Sequence, residues 1–303
     1  MRLALPDRGS EPAGAQGRLP IEEEDFTMTR RRVLAHLAPL VLLNLFAANC
    51  AMVDTISSSM FVVTPEEETT MGKQFASETE KGITIYDKDP AATAYINTLG
   101  QRLVKSAEPC AQKFTFKIVN NEEVNAFAIP GGYCYVQIGL IRLARNEGEL
   151  AAVMAHEIGH VTARHGAKDI SRSKAYETGG QWAAKTTGAA EKSAALSDMA
   201  VKVVKSGILL QHSKEDEFEA DALAVKTLAR AKLDPNSLAA FFQQMDPSAK
   251  RGDTPLYATL LSTHPPTGDR IAAARKLAKS AGSGPWSKDS AGFQDIKRRF
   301  PAQ

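Results

Sequence analysis

Apolar and polar positions change period several times along the chain, and each change marks an element. Leu150, Val153, Met154, Ile158 and Val161 recur at helical spacing, which predicts a helix over 147–165 with one face buried. Asn146 suits its N-cap, with Glu149 reaching back to the Asn146 amide as a capping box. Ala151, Ala152 and Ala155 allow neighbouring elements to come close. A second strong helix is predicted over 208–231, ending before Pro235. Residues 66–107 also read as helical, with a break at 87–90. Met71, Phe75 and Ile83 lie on the early stretch; Tyr95, Ile96, Leu99 and Leu103 lie on the later one. Residues 114–119 alternate as a strand, and 125–129, Pro130-Gly131-Gly132 and 133–138 read as strand, turn, strand. Shorter helices are predicted at 236–245 and 271–281, with a loop at 248–255. The tail after Gly282 is polar and carries no period. The pattern describes an α+β fold, mainly helical, with a small sheet packed on the 147–165 helix.

Chemistry enters through His156-Glu157-Ile158-Gly159-His160 on that helix. Residues four apart share a face, so His156 and His160 can offer two imidazole nitrogens to one metal ion. Glu157, beside the first of them, is placed to take a proton from a metal-activated water. Gly159 costs the helix about 1 kcal/mol relative to Ala, which fits a need for close backbone approach better than a need for stability. A catalytic zinc needs a third protein ligand. In the second helix Glu217 and Asp221 are four apart, so Glu217 can bind the metal while Asp221 holds a ligand histidine by its other ring nitrogen. The competing reading is a solvated acidic face made of Glu215, Asp216, Glu217, Glu219 and Asp221. Between the two helices, 168–204 is rich in Ala, Gly, Ser and Lys, and suits either a lid or an exposed amphipathic helix with a glycine break.

HEIGHVTARH from His156 to His165, together with EFEAD from Glu217 to Asp221, resembles family forty-eight of the metallopeptidases. The run from Asn125 to Gly132, residues 147–155, and His264-Pro265-Pro266 followed by Arg270 extend the match to about 75–277. The likeness is to the periplasmic, single-domain, lipoprotein-like branch. It implies a zincin-type metalloprotease domain with one Zn2+ on His156, His160 and Glu217. Glu157 would be its general base and Asp221 the carboxylate behind a ligand histidine. It also brings His264 near the metal, either as a fourth zinc ligand at rest or as a hydrogen-bond donor to the oxyanion. Arg270 is the companion cation for developing negative charge. Where the family often carries Arg before the acidic motif, Ser213-Lys214 stands here, leaving open any bidentate contact from that position. His165 and His212 read as structural or solvent-facing.

With 303 residues and 43% hydrophobic content, the chain can bury a full core. A net charge of +2, with Lys and Arg spread out, gives no footprint for nucleic acid. From Met28, the basic Thr29-Arg30-Arg31-Arg32 precedes an apolar run over 33–48 and the small residues around Cys50. This is the layout of an export signal, and Ala48-Asn49-Cys50 resembles a lipobox. The expected domains are a leader and signal at 1–50, a metalloprotease domain at 51–281 and a polar tail at 282–303. Export leaves Cys110 and Cys134 either bridged or as two buried thiols.

The sequence therefore describes an exported zinc endopeptidase acting on polypeptides in the periplasm or cell envelope, with membrane contact limited to a lipid anchor at Cys50. Asn125, Ala126 and Phe127 begin the strand along which an extended substrate would pair. The alternative from another class is a non-proteolytic, chaperone-like zinc-binding assembly factor. A multi-span membrane protease is disfavoured, because no apolar stretch beyond 33–48 is long enough to span a bilayer.

Overall fold

The computed structural model describes residues 63–178, 212–245 and 257–301. The signal-like segment, Cys50, the stretch 179–211 and the loop at 248–255 lie outside them. All described residues fall in one unit, Phe61–Gln303. The elements are α1 (Pro65–Gly82), α2 (Pro90–Ser106), β1 (Thr115–Val119), β2 (Ala126–Ile129), β3 (Tyr133–Gln137), α3 (Ile138–Leu143), α4 (Glu147–Thr162), α5 (His165–Thr178), α6 (Lys214–Arg230), α7 (Ser237–Gln244), α8 (Ala258–Thr263), α9 (Gly268–Ser280) and α10 (Ala291–Arg299). No described helix is long and apolar enough to cross a membrane.

Local chemistry explains most boundaries. Thr64 and Glu67 form a reciprocal capping box on α1, while the Asp89 carboxylate caps α2 by accepting from the amides of Ala91 and Ala92. Each of these helices has a proline at its start, where no amide is needed. The β2–β3 hairpin turns at Gly131 and Gly132, whose φ values of 87° and 89° disfavour any side chain. β3 lies in the middle of the sheet, parallel to β1 and antiparallel to β2, so β2 is an edge strand.

Alternation along the strands divides the core. Phe116, Ile118, Ala126, Cys134 and Val136 join the main cluster with α2, α4, α6 and α7. Val119, Phe127, Ile129 and Tyr135 face Met71 and Phe75 of α1 and Ile170 of α5. Helix α4 is the centre of the main cluster. Every residue from Glu147 to Val161 is buried, not one face alone. Its small residues allow this. A Cβ on Gly159 would stand 3.1 Å from the Ala220 carbonyl oxygen of α6 and 3.3 Å from Ala220 Cα. Each large aliphatic side chain sealed along α4 contributes about 1.5–3 kcal/mol relative to exposure.

Several expectations need correction. Helix α4 stops at Thr162, and Asn146 does cap it by accepting from the Glu149 amide. The Glu149 carboxylate, however, accepts from the amide and guanidinium of Arg145 instead of closing a box on Asn146. Helix α6 starts at Lys214 behind a Ser213 cap, because the Ser213 hydroxyl accepts from the Asp216 amide. The segment after β3 forms the short helix α3. The polar tail is part of the folded unit: α10 buries Phe293 and Ile296, with Phe300 following. Only three apolar positions at i, i+3 and i+7 serve that contact, too few to stand out among its charges. Cys110 and Cys134 are free thiols, and Cys134 is buried.

Candidate metal centre

Helix α4 supplies His156, Glu157 and His160, α6 supplies Glu217 and Asp221, and the α8–α9 junction supplies His264 and Arg270. All seven side chains are buried. Close packing of α4 on α6 at Gly159 brings the two motifs together. The prolines 265 and 266 then stop α8 and hold His264 at its C-cap.

Four of these residues point donor atoms at a common centre. His156 Nε2 lies 3.0 Å from His160 Nε2 and 3.3 Å from His264 Nδ1. Glu217 Oε1 lies 2.9 Å from His264 Nδ1 and 3.3 Å from His160 Nε2, and Glu217 Oε2 is 3.5 Å from His156 Nε2. A tetrahedral metal site with bonds of about 2.0–2.1 Å has edges of about 3.3–3.4 Å. Three ring nitrogens and a carboxylate at these separations therefore fit one metal ion. Glu157 Oε1, buried and 3.7 Å from His264 Nε2, has no hydrogen-bond partner among the described residues.

Behind the donors lies a charged layer. His156 Nδ1 is 2.9 Å from Asp221 Oδ1. Arg270 grips Asp221 with two parallel bonds, Nε to Oδ2 at 2.7 Å and an Nη2–Oδ1 bond at 2.8 Å. Its other terminal nitrogen reaches Glu217 Oε2 at 2.8 Å and the Pro265 carbonyl at 3.0 Å. The guanidinium also covers the Phe242 ring at 4.6 Å. These contacts turn Arg270 to the carboxylates of Asp221 and Glu217. They also remove the solvated acidic face: Asp216, Glu217 and Asp221 are buried, and only Glu215 and Glu219 are exposed.

Electrostatics follow the same geometry. Burial disfavours a charged His156, but Asp221 and Glu217 outweigh it and lift the pKa to about 10. His160 is held well below its ordinary value, chiefly by burial and then by the neighbouring histidines. Burial opposes ionisation of Glu217, yet hydrogen bonds from His156, His160 and His264 hold it below the carboxylate range. Asp221 is likewise opposed by burial and held low by Arg270 and His156.

The edge of β2 runs past Glu157. The Asn125 carbonyl accepts from the Gln137 amide at 3.0 Å, so alternate residues bond to β3 and the backbone groups of Ala126 and Ala128 face outward. The Ala128 amide donates to Glu157 Oε2 at 3.0 Å. The expected pairing residues shift accordingly. Phe127 turns into the core and stacks on Tyr135 at 4.9 Å, while Asn125 is buried with Oδ1 unpartnered among the described residues.

Of the two roles read from sequence for His165 and His212, structural or solvent-facing, both take the structural one. His165 is fully buried, with Nδ1 2.9 Å from His160 Nδ1 and Nε2 near Glu219 and Asp216. His212 stacks on the His160 ring at 4.0 Å and places Nδ1 3.0 Å from Asp169 Oδ2. The available signal was concentration, since five of the chain's six histidines gather here.

Comparison with known proteins identifies the family. The chain is 33% identical over 217 residues to the beta-barrel assembly-enhancing protease of Escherichia coli, covering 70% of this chain and 44% of that protein. It is 34% identical over 197 residues to a putative beta-barrel assembly-enhancing protease of Vibrio cholerae, covering 63% and 40%. With the mitochondrial metalloendopeptidase OMA1 of Schizosaccharomyces pombe it shares 30% identity over 179 residues, 59% and 51% of the two chains. The chain thus spans less than half of the bacterial relatives it matches. The sequence pattern described as Peptidase family M48 matches residues 90–278, which contain every residue of the metal-centre cluster. The chain belongs to peptidase family M48.

Proposed function

We propose that the chain is a zinc-dependent endopeptidase that cleaves extended or misfolded polypeptides of the cell envelope. The observation that carries this reading is the buried convergence of His156, His160 and Glu217 beside the free carboxylate oxygen of Glu157. Zinc, held by those three side chains, would supply a Lewis acid that activates water and polarises the scissile carbonyl. Glu157 accepts the proton of the attacking water and delivers it to the leaving amine. Asp221, backed by Arg270, fixes the ring of His156.

The amide and carbonyl of Ala126 and the carbonyl of Ala128 offer outward backbone groups to an extended substrate by strand addition, a nearly sequence-blind mode that suits unfolded chains. Export, and a lipid anchor at Cys50, belong to the same reading and rest on the basic and apolar layout of residues 29–50. The names of the bacterial relatives, which tie them to β-barrel assembly, support envelope polypeptides as substrates.

A second reading has one observation in its favour. His264 Nδ1 completes the donor set, as a closed structural metal site would require. That reading makes the chain a non-proteolytic assembly factor. Casein hydrolysis by purified chain decides between them. The protease reading expects cleavage that stops on chelation and returns with zinc. Bound zinc without cleavage favours the assembly factor.

A further inference from the structure

We propose that His165 is a positioning residue that fixes the tautomer and ring orientation of His160 through a one-way chain of hydrogen bonds ending on Asp216 and Glu219. The inference rests on the metal site proposed above and concerns a residue outside its ligand set. The two Nδ1 atoms of His160 and His165 lie 2.9 Å apart, so one of them carries the shared proton and the other accepts it. A neutral His160 that turns the lone pair of Nε2 to the metal must carry its proton on Nδ1. His165 Nδ1 is then the acceptor, and its own proton must sit on Nε2. That atom faces Glu219 Oε2 at 3.2 Å and Asp216 Oδ1 at 3.3 Å. Donors and acceptors match at every step.

The local fold puts His165 there. Arg164 adopts a left-handed backbone with φ of 59°, which ends α4 and lets α5 begin at once. The first residue of α5 is thereby set beside the last ligand of α4. Arg164 is itself held by Glu68 at 2.7 Å and by the Val63 carbonyl, contacts that offset a conformation costly for a residue with a side chain. His212 covers the flat face of His160, so the ring is held by its edge and its face. His156 meets a carboxylate directly, whereas His160 meets one through a second imidazole.

The same bookkeeping tells against a second ion on His165, Asp216 and Glu219, whose donor atoms also cluster. An ion on His165 Nε2 would force the proton onto its Nδ1 and leave His160 Nδ1 without one, which a neutral metal-bound His160 does not allow.

The test is zinc affinity, read by chelator competition, for wild type, His165→Asn, His165→Gln and His165→Leu. An asparagine amide sits where Nδ1 sat and can still accept from His160. A glutamine amide sits one atom further out and leaves that proton unpaired. The expectation is affinity within about 3-fold of wild type for Asn and a loss of about 10- to 100-fold for Gln and Leu. Equal affinity for Asn and Gln, or wild-type affinity for Gln, overturns the proposal. If the Leu variant fails to fold, the Asn and Gln pair still decides. A second zinc equivalent lost on His165 substitution would also overturn it. Failure of the wild type to bind zinc would sink the parent reading instead, so the two failures are distinguishable.

Discussion

The backbone amide of Ala128, on the outer edge of β2, donates a hydrogen bond to Glu157 Oε2 at 3.0 Å. One bond thus joins the outer edge of the sheet to the carboxylate beside the donor cluster. Among the described residues, Glu157 Oε1 is buried without a hydrogen-bond partner. The sheet therefore sets the height of Glu157.

The Arg270 network yields a stability prediction. Arg270 is only 2% exposed and neutralises both Asp221 and Glu217. Replacing it by Met leaves two buried carboxylates with one cation fewer between them, which costs about 3–5 kcal/mol. Urea unfolding of the metal-free protein measures this. A loss below about 1 kcal/mol, the range of exposed pairs, would show that the network is not what holds α9 to α6.

A second ion pair gives a dependence on pH. Burial raises the pKa of Glu68, and Arg164 pulls it only partly back. A carboxyl whose folded pKa is raised gives its full contribution below the unfolded value near 4.5 and loses it as pH rises through the folded pKa. Arg164→Met removes the compensating cation, so its cost should be small at pH 4 and reach about 3 kcal/mol at pH 7. Equal costs at both values would mean that Glu68 is not ionised in the folded protein.

Much of this was legible because local rules and tertiary demands agreed. The 3.6-residue period and the Asn146 cap marked α4, alternation marked β1, and Pro130-Gly131-Gly132 marked the hairpin turn. The i, i+4 spacings of His156 with His160 and of Glu217 with Asp221 identified the two helix faces that meet. What was missed depends on contacts distant in sequence. His165 looks surplus until the left-handed Arg164 folds α5 back onto the site. Arg270, read as a cation for developing negative charge, is laid across Asp221 by α9. Phe293 and Ile296 carry too short a stripe to show that α10 joins the core.

Gly159 is the joint between α4 and α6. Ala at this position gains about 1 kcal/mol of helix propensity, but its Cβ would press on the Ala220 backbone at 3.1 Å. The expected result is weaker zinc binding by about 10-fold, comparable to disturbing a ligand's support. Isothermal titration with zinc measures it. Unchanged zinc affinity would show that α4 and α6 can separate without moving the ligands.

His264 is expected to restrain the resting enzyme by occupying a donor position with Nδ1. His264→Ala should therefore raise casein hydrolysis while lowering thermal stability of the zinc-loaded protein. If His264 instead donates to the oxyanion, the same change should slow hydrolysis by about 100-fold or more with zinc retained. The opposite signs make one rate measurement sufficient.

The central claim is that Glu157 moves the proton at a zinc site it does not help to build. Glu157→Gln keeps an oxygen for the Ala128 amide and leaves His156, His160 and Glu217 in place. Zinc content and casein hydrolysis, measured on the same purified samples, test the claim most directly. The account predicts one zinc per chain in both proteins, with hydrolysis in the variant lower by about 100-fold or more. Hydrolysis by Glu157→Gln at the wild-type rate, with zinc bound, would contradict it.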